Sequence, residues 1–277
     1  YAWLEAKGID FDLITDRELH EEGVDSIRDY KALCTGSHPE YHTPQTLDAL
    51  QNYRDQGGRL VYLGGNGFYW KIALSPEDPG LIEIRRGESG IRAWAAEPGE
   101  YYHSFDGSYG GLWRRNGRPP QLLAGVGFSA QGKFEGSYYR RTAESRAPDL
   151  AWMFEGIEDQ EILGDFGFSG GGAAGFELDR ADVRLGTPEE VRVVASSENH
   201  TSSFVLVPEE MLTHITNWPG EEEQQKLIRS DIVYFRTPSG GEVFSTGSIT
   251  FCGSLPWNDF DNNISRLLEN VIRRFLL

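Results

Sequence analysis

Two nearly all-apolar runs, residues 30–35 (YKALCT) and 60–63 (LVYL), flank one well-capped helical stretch, and this arrangement limits the fold more than any other feature of the chain. Thr43-Pro44 supplies an N-cap and a proline at the first helical position; Leu47, Leu50 and Tyr53 recur at helical spacing, and Gly57-Gly58 closes the helix. An apolar strand, a helix and a second apolar strand describe a βαβ unit in a parallel sheet covered on both faces. Residues 11–15 (FDLIT) read as a further buried strand, with Asp16 as N-cap of the next helix. Parallel-type runs return at 191–195 (VRVVA), 231–235 (DIVYF) and 241–251. Ile264, Leu267, Leu268, Val271, Ile272, Phe275 and Leu276 keep i, i+3, i+4 spacing in a last helix capped by Asp261 or Asn262. The expected fold is α/β: a mostly parallel, Rossmann-like sheet flanked by helices.

Between Trp70 and about Arg146 glycine, tryptophan, tyrosine and arginine crowd together, which suggests an insertion of short antiparallel strands over about 70–146 in a single domain spanning 1–277. The opening residues, Tyr1 to Gly8, read as the tail of a helix, so the chain is expected to be the carboxyl-terminal part of a longer one. A formal charge of −17 leaves no positive footprint for nucleic acid and disfavours anionic membrane surfaces. No apolar run approaches the roughly 20 residues of a spanning helix. Cys34 and Cys252 both lie in apolar runs, where they read as buried small hydrophobes, and a reducing cytoplasm is the default compartment.

Ligands of open parallel sheets bind beyond the carboxyl ends of the strands. Two loops stand there. Thr35-Gly36-Ser37-His38-Pro39-Glu40-Tyr41 gathers an imidazole, a carboxylate and a phenol close to a helix N-terminus. An ionised Glu40 is a hard ligand and His38 a proton carrier, although both residues read equally as loop caps. Gly64-Gly65-Asn66-Gly67 lifts Asn66 to where a nucleophile elbow would carry Ser or Cys. Asn66 cannot be that nucleophile, but its amide can orient a carbonyl; the plainer reading is a turn residue with positive φ. Glu177, between Phe176 and Leu178, suits a low-dielectric pocket and general-base duty, or else a salt bridge with Arg180 or another basic residue. His200 stands at a strand end without a nucleophile and reads as pocket lining. His20, His42, His103 and His214 show no metal-type spacing, so zinc is disfavoured. The glycine run at 170–175 reads as a turn, since no Lys-Ser/Thr follows it.

The motifs GSHPEY (36–41), YLGGNGFYW (62–70), IEIRR (82–86), YGGLWRRNGRPP (109–120), GGAAGFELDR (171–180), VVASSENH (193–200) and GGEVFSTGSI (240–249) resemble the carboxyl-terminal half of N,N-dimethylformamidase large (beta) subunits, over essentially the whole chain. That half is similar in fold to class I glutamine amidotransferases, with Asn66 where those enzymes carry a cysteine. The resemblance implies a mononuclear ferric centre of two tyrosines and one glutamate that hydrolyses N,N-dimethylformamide to formate and dimethylamine. It makes Glu40 the metal ligand, Glu177 the general base, and His38 and Asn66 the lining of the substrate pocket. The tyrosine ligands would lie upstream of this chain. It also implies a small partner subunit and further copies of the large one. The competing expectation is a non-catalytic amidotransferase-like module that binds carbohydrate or a partner subunit through the aromatic insertion. A hydrolase with a Ser or Cys nucleophile is the third and weakest fit.

Overall fold

A computed structural model describes residues 1–78, 80–86, 97–207 and 220–277. His214 and part of the expected insertion lie outside them. The helices are α1 (Ala2–Ala6), α2 (Asp16–Glu22), α3 (Pro44–Asp55), α4 (Pro120–Ala124), α5 (Glu221–Leu227) and α6 (Asn263–Phe275). The strands are β1 (Leu33–Cys34), β2 (Tyr41–His42), β3 (Arg59–Tyr62), β4 (Trp70–Leu74), β5 (Ile82–Ile84), β6 (Gly127–Arg141), β7 (Ala174–Arg180), β8 (Arg192–Glu198), β9 (Val205–Leu206), β10 (Asp231–Arg236) and β11 (Glu242–Ser245).

The main sheet runs β1-β3-β11-β10-β8-β6-β7, with β9 also on β6; β2-β4-β5 form a second, small sheet. Alternation along the strands shows that the main sheet is covered on both faces. Val61, Ile232, Tyr234 and Phe244 pack with α6, while Leu60, Tyr62, Val233, Phe235 and Val243 pack with α3. The expected βαβ unit is present: β1 and β3 pair in parallel, Leu33 opposite Leu60, with α3 between them. Thr43 caps α3, its side chain accepting from Thr46 N–H, and Asn262 caps α6 in the same way through Ser265 N–H.

The sheet is nonetheless mixed, not mostly parallel. Only β1–β3 and β3–β11 are parallel; β11–β10, β10–β8, β8–β6 and β6–β7 are antiparallel. An unbroken apolar run reports burial on two faces and says nothing of direction. Direction follows the connection: the turn at 237–241, closed by Thr237 N–H on Gly241 O at 2.8 Å, is far too short for the crossover a parallel pair needs.

Other expectations also change. Residues 11–15 form no strand; Leu13 is 64% exposed, and the helix that follows is capped by Thr15, in a capping box with Glu18, rather than by Asp16. Within the stretch expected as an insertion, β6 starts at Gly127, pairing with β7 from Gly127 to Ser137 and with β8 from Tyr138 to Arg141. Cys34 is exposed, Cys252 is partly buried, and both are free thiols. No helix among the described residues is long and apolar enough to cross a membrane.

Candidate active site

Three segments meet at one end of the sheet. The loop after β1 carries His38 and Glu40. The turn after β3 carries Asn66. Glu177 comes from β7, the far edge of the sheet, because the sheet curls until β7 lies over the end of β11: Asp179 N–H donates to Gly247 O (2.8 Å), and Leu178 bridges to Ser248.

Backbone contacts lock the segments together. Phe68 N–H donates to Pro39 O at 2.7 Å, and Tyr69 N–H and Trp70 N–H both reach Glu40 O at 3.0 Å. The turn is wedged so tightly that a Cβ on Gly65 would lie 2.6 Å from Glu177 O and 2.9 Å from Ile249 N. Asn66 (φ 50°), Phe68 (φ 56°) and Phe176 (φ 62°) all adopt left-handed backbone, a concentration of strain expected where side chains must be aimed.

The side chains converge. His38 Nε2 lies 3.1 Å from Glu177 Oε2 and 3.3 Å from Glu40 Oε2. Asn66 Nδ2 donates to Glu40 Oε1 at 3.1 Å. That contact sets the amide orientation, because only the NH2 end can face a carboxylate. Asn66 Oδ1 is thereby left buried, with no partner among the described residues. Glu40 and Glu177 keep 12% and 6% of their side-chain surface in solvent, whereas His38 keeps 37% and lies at the mouth. The basic partner of Glu177 is His38 rather than Arg180, which pairs with Asp182 at 2.8 Å.

Contact with Glu177 raises the pKa of His38, outweighing its partial burial, and the charges of Glu40 and Asp179 add to the rise. Burial raises Glu40; the charge of Glu177 adds to it, while His38 and Arg86 oppose it. The cluster therefore favours holding a proton on the imidazole between two carboxyl groups.

Asp179 and Tyr62 were not singled out from the sequence. Asp179 is fully buried and accepts from Asn66 N–H (2.7 Å) and from the Tyr62 hydroxyl (2.8 Å), which itself accepts from Gly67 N–H (2.7 Å). Burial, outweighing these hydrogen bonds, pushes the Asp179 carboxyl up to about 8. The available signal was spacing: residues 177 and 179 share one face of a strand. At the rim, Arg86 stacks over Trp70 (4.7 Å to the ring) and donates to the Tyr41 hydroxyl at 2.6 Å.

For a metal ion the fit is partial. Glu40 is a hard oxygen donor suited to a ferric ion, and the unpartnered Asn66 Oδ1 leaves polar capacity beside it. Among the described residues no group of three or more His, Cys, Asp or Glu side chains is arranged to hold a metal. An ion bound at Glu40 would need further ligands of other kinds than these side chains.

The remaining candidates lie elsewhere. His42 is buried between Pro39 O and Thr46, and His20 contacts Thr43. His103 sits near Asp106. His200 Nε2 is 2.7 Å from Ser197 Oγ at the side of a separate cleft of about 660 Å³, and burial pulls its pKa down to about 4.

The family described as "N,N-dimethylformamidase beta subunit-like, C-terminal" matches residues 1–263. The chain is 42% identical, over 274 residues, to an N,N-dimethylformamidase beta subunit of Paracoccus aminophilus and 41% identical to one of an Alcaligenes species. Each alignment covers 99% of this chain, which spans only 36% of the length of those relatives.

Proposed function

The chain belongs to the N,N-dimethylformamidase beta subunit-like, C-terminal family, and from that premise we propose that it builds one wall of an amidohydrolase site that cleaves a small amide such as N,N-dimethylformamide to formate and dimethylamine. The observation that carries this reading is the convergence of His38 on Glu40 (3.3 Å) and Glu177 (3.1 Å), with Asn66 on Glu40 (3.1 Å).

In this reading Glu40 is the ligand this chain contributes to a mononuclear ferric ion, with tyrosines from outside residues 1–277 completing the set. When bound, that ion supplies Lewis-acid polarisation of the amide carbonyl. Glu177, low in the cleft, takes a proton from the water whose oxygen bonds to the carbonyl carbon. As the C–N bond breaks, the departing amine needs a proton. His38 supplies it, and the raised pKa of its ring keeps that proton available. Asn66 holds Glu40 through Nδ2 and presents Oδ1 to the reacting water or the substrate.

The likeness to class I glutamine amidotransferases belongs to the same reading and rests on the β1–α3–β3 unit and the Asn66 turn. So does the assembly: a small subunit and further copies of the large one, as the relatives' name of beta subunit invites. Residues 1–277 act as one unit of that longer subunit, and the free thiols suit a cytoplasmic setting.

Iron analysis of the full-length subunit assembled with its partners tests the assignment. Glu40→Ala is expected to lose both iron and formamide turnover. Glu177→Gln is expected to keep iron while turnover falls by about 10²–10⁴. Unchanged iron in Glu40→Ala removes Glu40 from the metal.

A further inference from the structure

We propose that Asp179, with Tyr62 as its relay, is a positioning residue that holds the Asn66–Gly67 turn so that the Asn66 amide is delivered onto Glu40. The inference rests on the function proposed above and extends it to two residues that touch neither substrate nor metal.

The two consecutive N–H groups of the turn end on one carboxylate. Asn66 N–H reaches Asp179 Oδ1 directly at 2.7 Å. Gly67 N–H reaches the Tyr62 hydroxyl at 2.7 Å, and that hydroxyl donates to Asp179 Oδ2 at 2.8 Å. Both Asp179 and Tyr62 are fully buried. A buried carboxyl set among neutral donors is an expensive way to fold a turn, because its ionised form is poorly solvated there. Here the backbone also holds a non-glycine residue at positive φ, and from it the Asn66 side chain reaches across the cleft to Glu40 Oε1. Asp179 comes from β7, two residues beyond Glu177 on the same strand face. One strand therefore supplies the proposed base and also fixes the residue that orients the proposed ligand. Any shift of β7 would move both together.

The test crosses variants in the full-length subunit assembled with its partners. Asp179→Asn keeps one acceptor and removes the other, and Tyr62→Phe removes only the relay. Each is expected to lower kcat for formamide hydrolysis by about ten- to a hundredfold with KM little changed. In an Asn66→Ala background the same substitutions should add less than about twofold, since positioning acts only through that amide. Equal losses in both backgrounds, or a loss confined to KM or to thermal stability, overturn the proposal. A crystal structure of each variant reads the geometry without reference to catalysis: the Asn66 amide should leave hydrogen-bond reach of Glu40 Oε1, and an unmoved amide refutes the inference. If the wild-type assembly hydrolyses no formamide, the functional reading falls, and the crystal structures still decide whether Asp179 positions Asn66.

Discussion

Two histidines at strand ends show how differently the same side chain is used in this molecule. His38 stands between the carboxyl groups of Glu40 and Glu177, and contact with Glu177 raises its pKa. His200 faces Ser197 and the ring of Phe204, 4.6 Å away between centroids, and burial pulls it down to about 4. Ser197 and His200 superficially form the better catalytic pair, at 2.7 Å. Yet Ser197 Oγ also accepts from Ser230 N–H, and among the described residues no carboxylate reaches His200 Nδ1. An imidazole without an acid behind it is a poor base at neutral pH once burial has taken its proton affinity. What separates the two places is the pair of carboxyl groups at His38, one from its own loop and one brought by β7.

The largest expected difference is in turnover. Glu177→Gln should reduce formamide hydrolysis about a hundredfold or more, whereas His200→Gln should leave it within about twofold. A reversed order would move the chemistry to the Ser197–His200 cleft.

Next in size is tolerance to added volume. Gly65→Ala drives a methyl group into the backbone of Glu177 and Ile249 and is expected to destabilise by about 3 kcal/mol. Gly132→Ala in β6 meets the buried Phe204 ring, which packs on His200, at 2.6 Å; a ring must shift there rather than backbone, so a smaller loss of about 2 kcal/mol is expected. Denaturant titration of both variants checks the ranking.

The smallest effect is the pH dependence of stability in the protein with no added metal. The folded pKa of His38 is raised, so its contribution is fully present below about 6.5, its unfolded value, and is lost as pH rises through the folded value. The folded pKa of His200 is depressed, so its contribution is present above about 6.5 and is lost as pH falls towards about 4. The two slopes oppose each other. Replacing His38 by Gln should flatten the loss above neutrality, and replacing His200 the loss on the acid side. NMR titration of the two rings gives the midpoints directly; a His200 midpoint near the ordinary value would show that its burial has no electrostatic consequence.

Much of this was legible along the chain, for local reasons. The Thr43-Pro44 cap, the 3.6-residue periodicity of α3 and α6 and the apolar runs of β1 and β3 are short-range signals, and each formed the element its pattern describes. His38, Glu40 and Asn66 stood out because polar residues clustered just beyond apolar runs, where backbone bends and side chains reach a cleft. Other features were decided over long range. Residues 11–15 have a strand's composition, but composition supplies no neighbour to pair with, and they remain exposed. Strand direction depends on connections that hydropathy does not encode, which is why the sheet is mixed. Asp179 had no distinguishing mark in the sequence; only the curl of the sheet brings β7 and its carboxyl group to the Asn66 turn. Periodicity and capping are written within a few residues, so the amino-acid sequence alone determined α3, α6 and the loops that carry His38, Glu40 and Asn66. The closing of the site across more than a hundred residues of chain came from the curl of the sheet, because only packing brings segments that far apart to within a hydrogen bond.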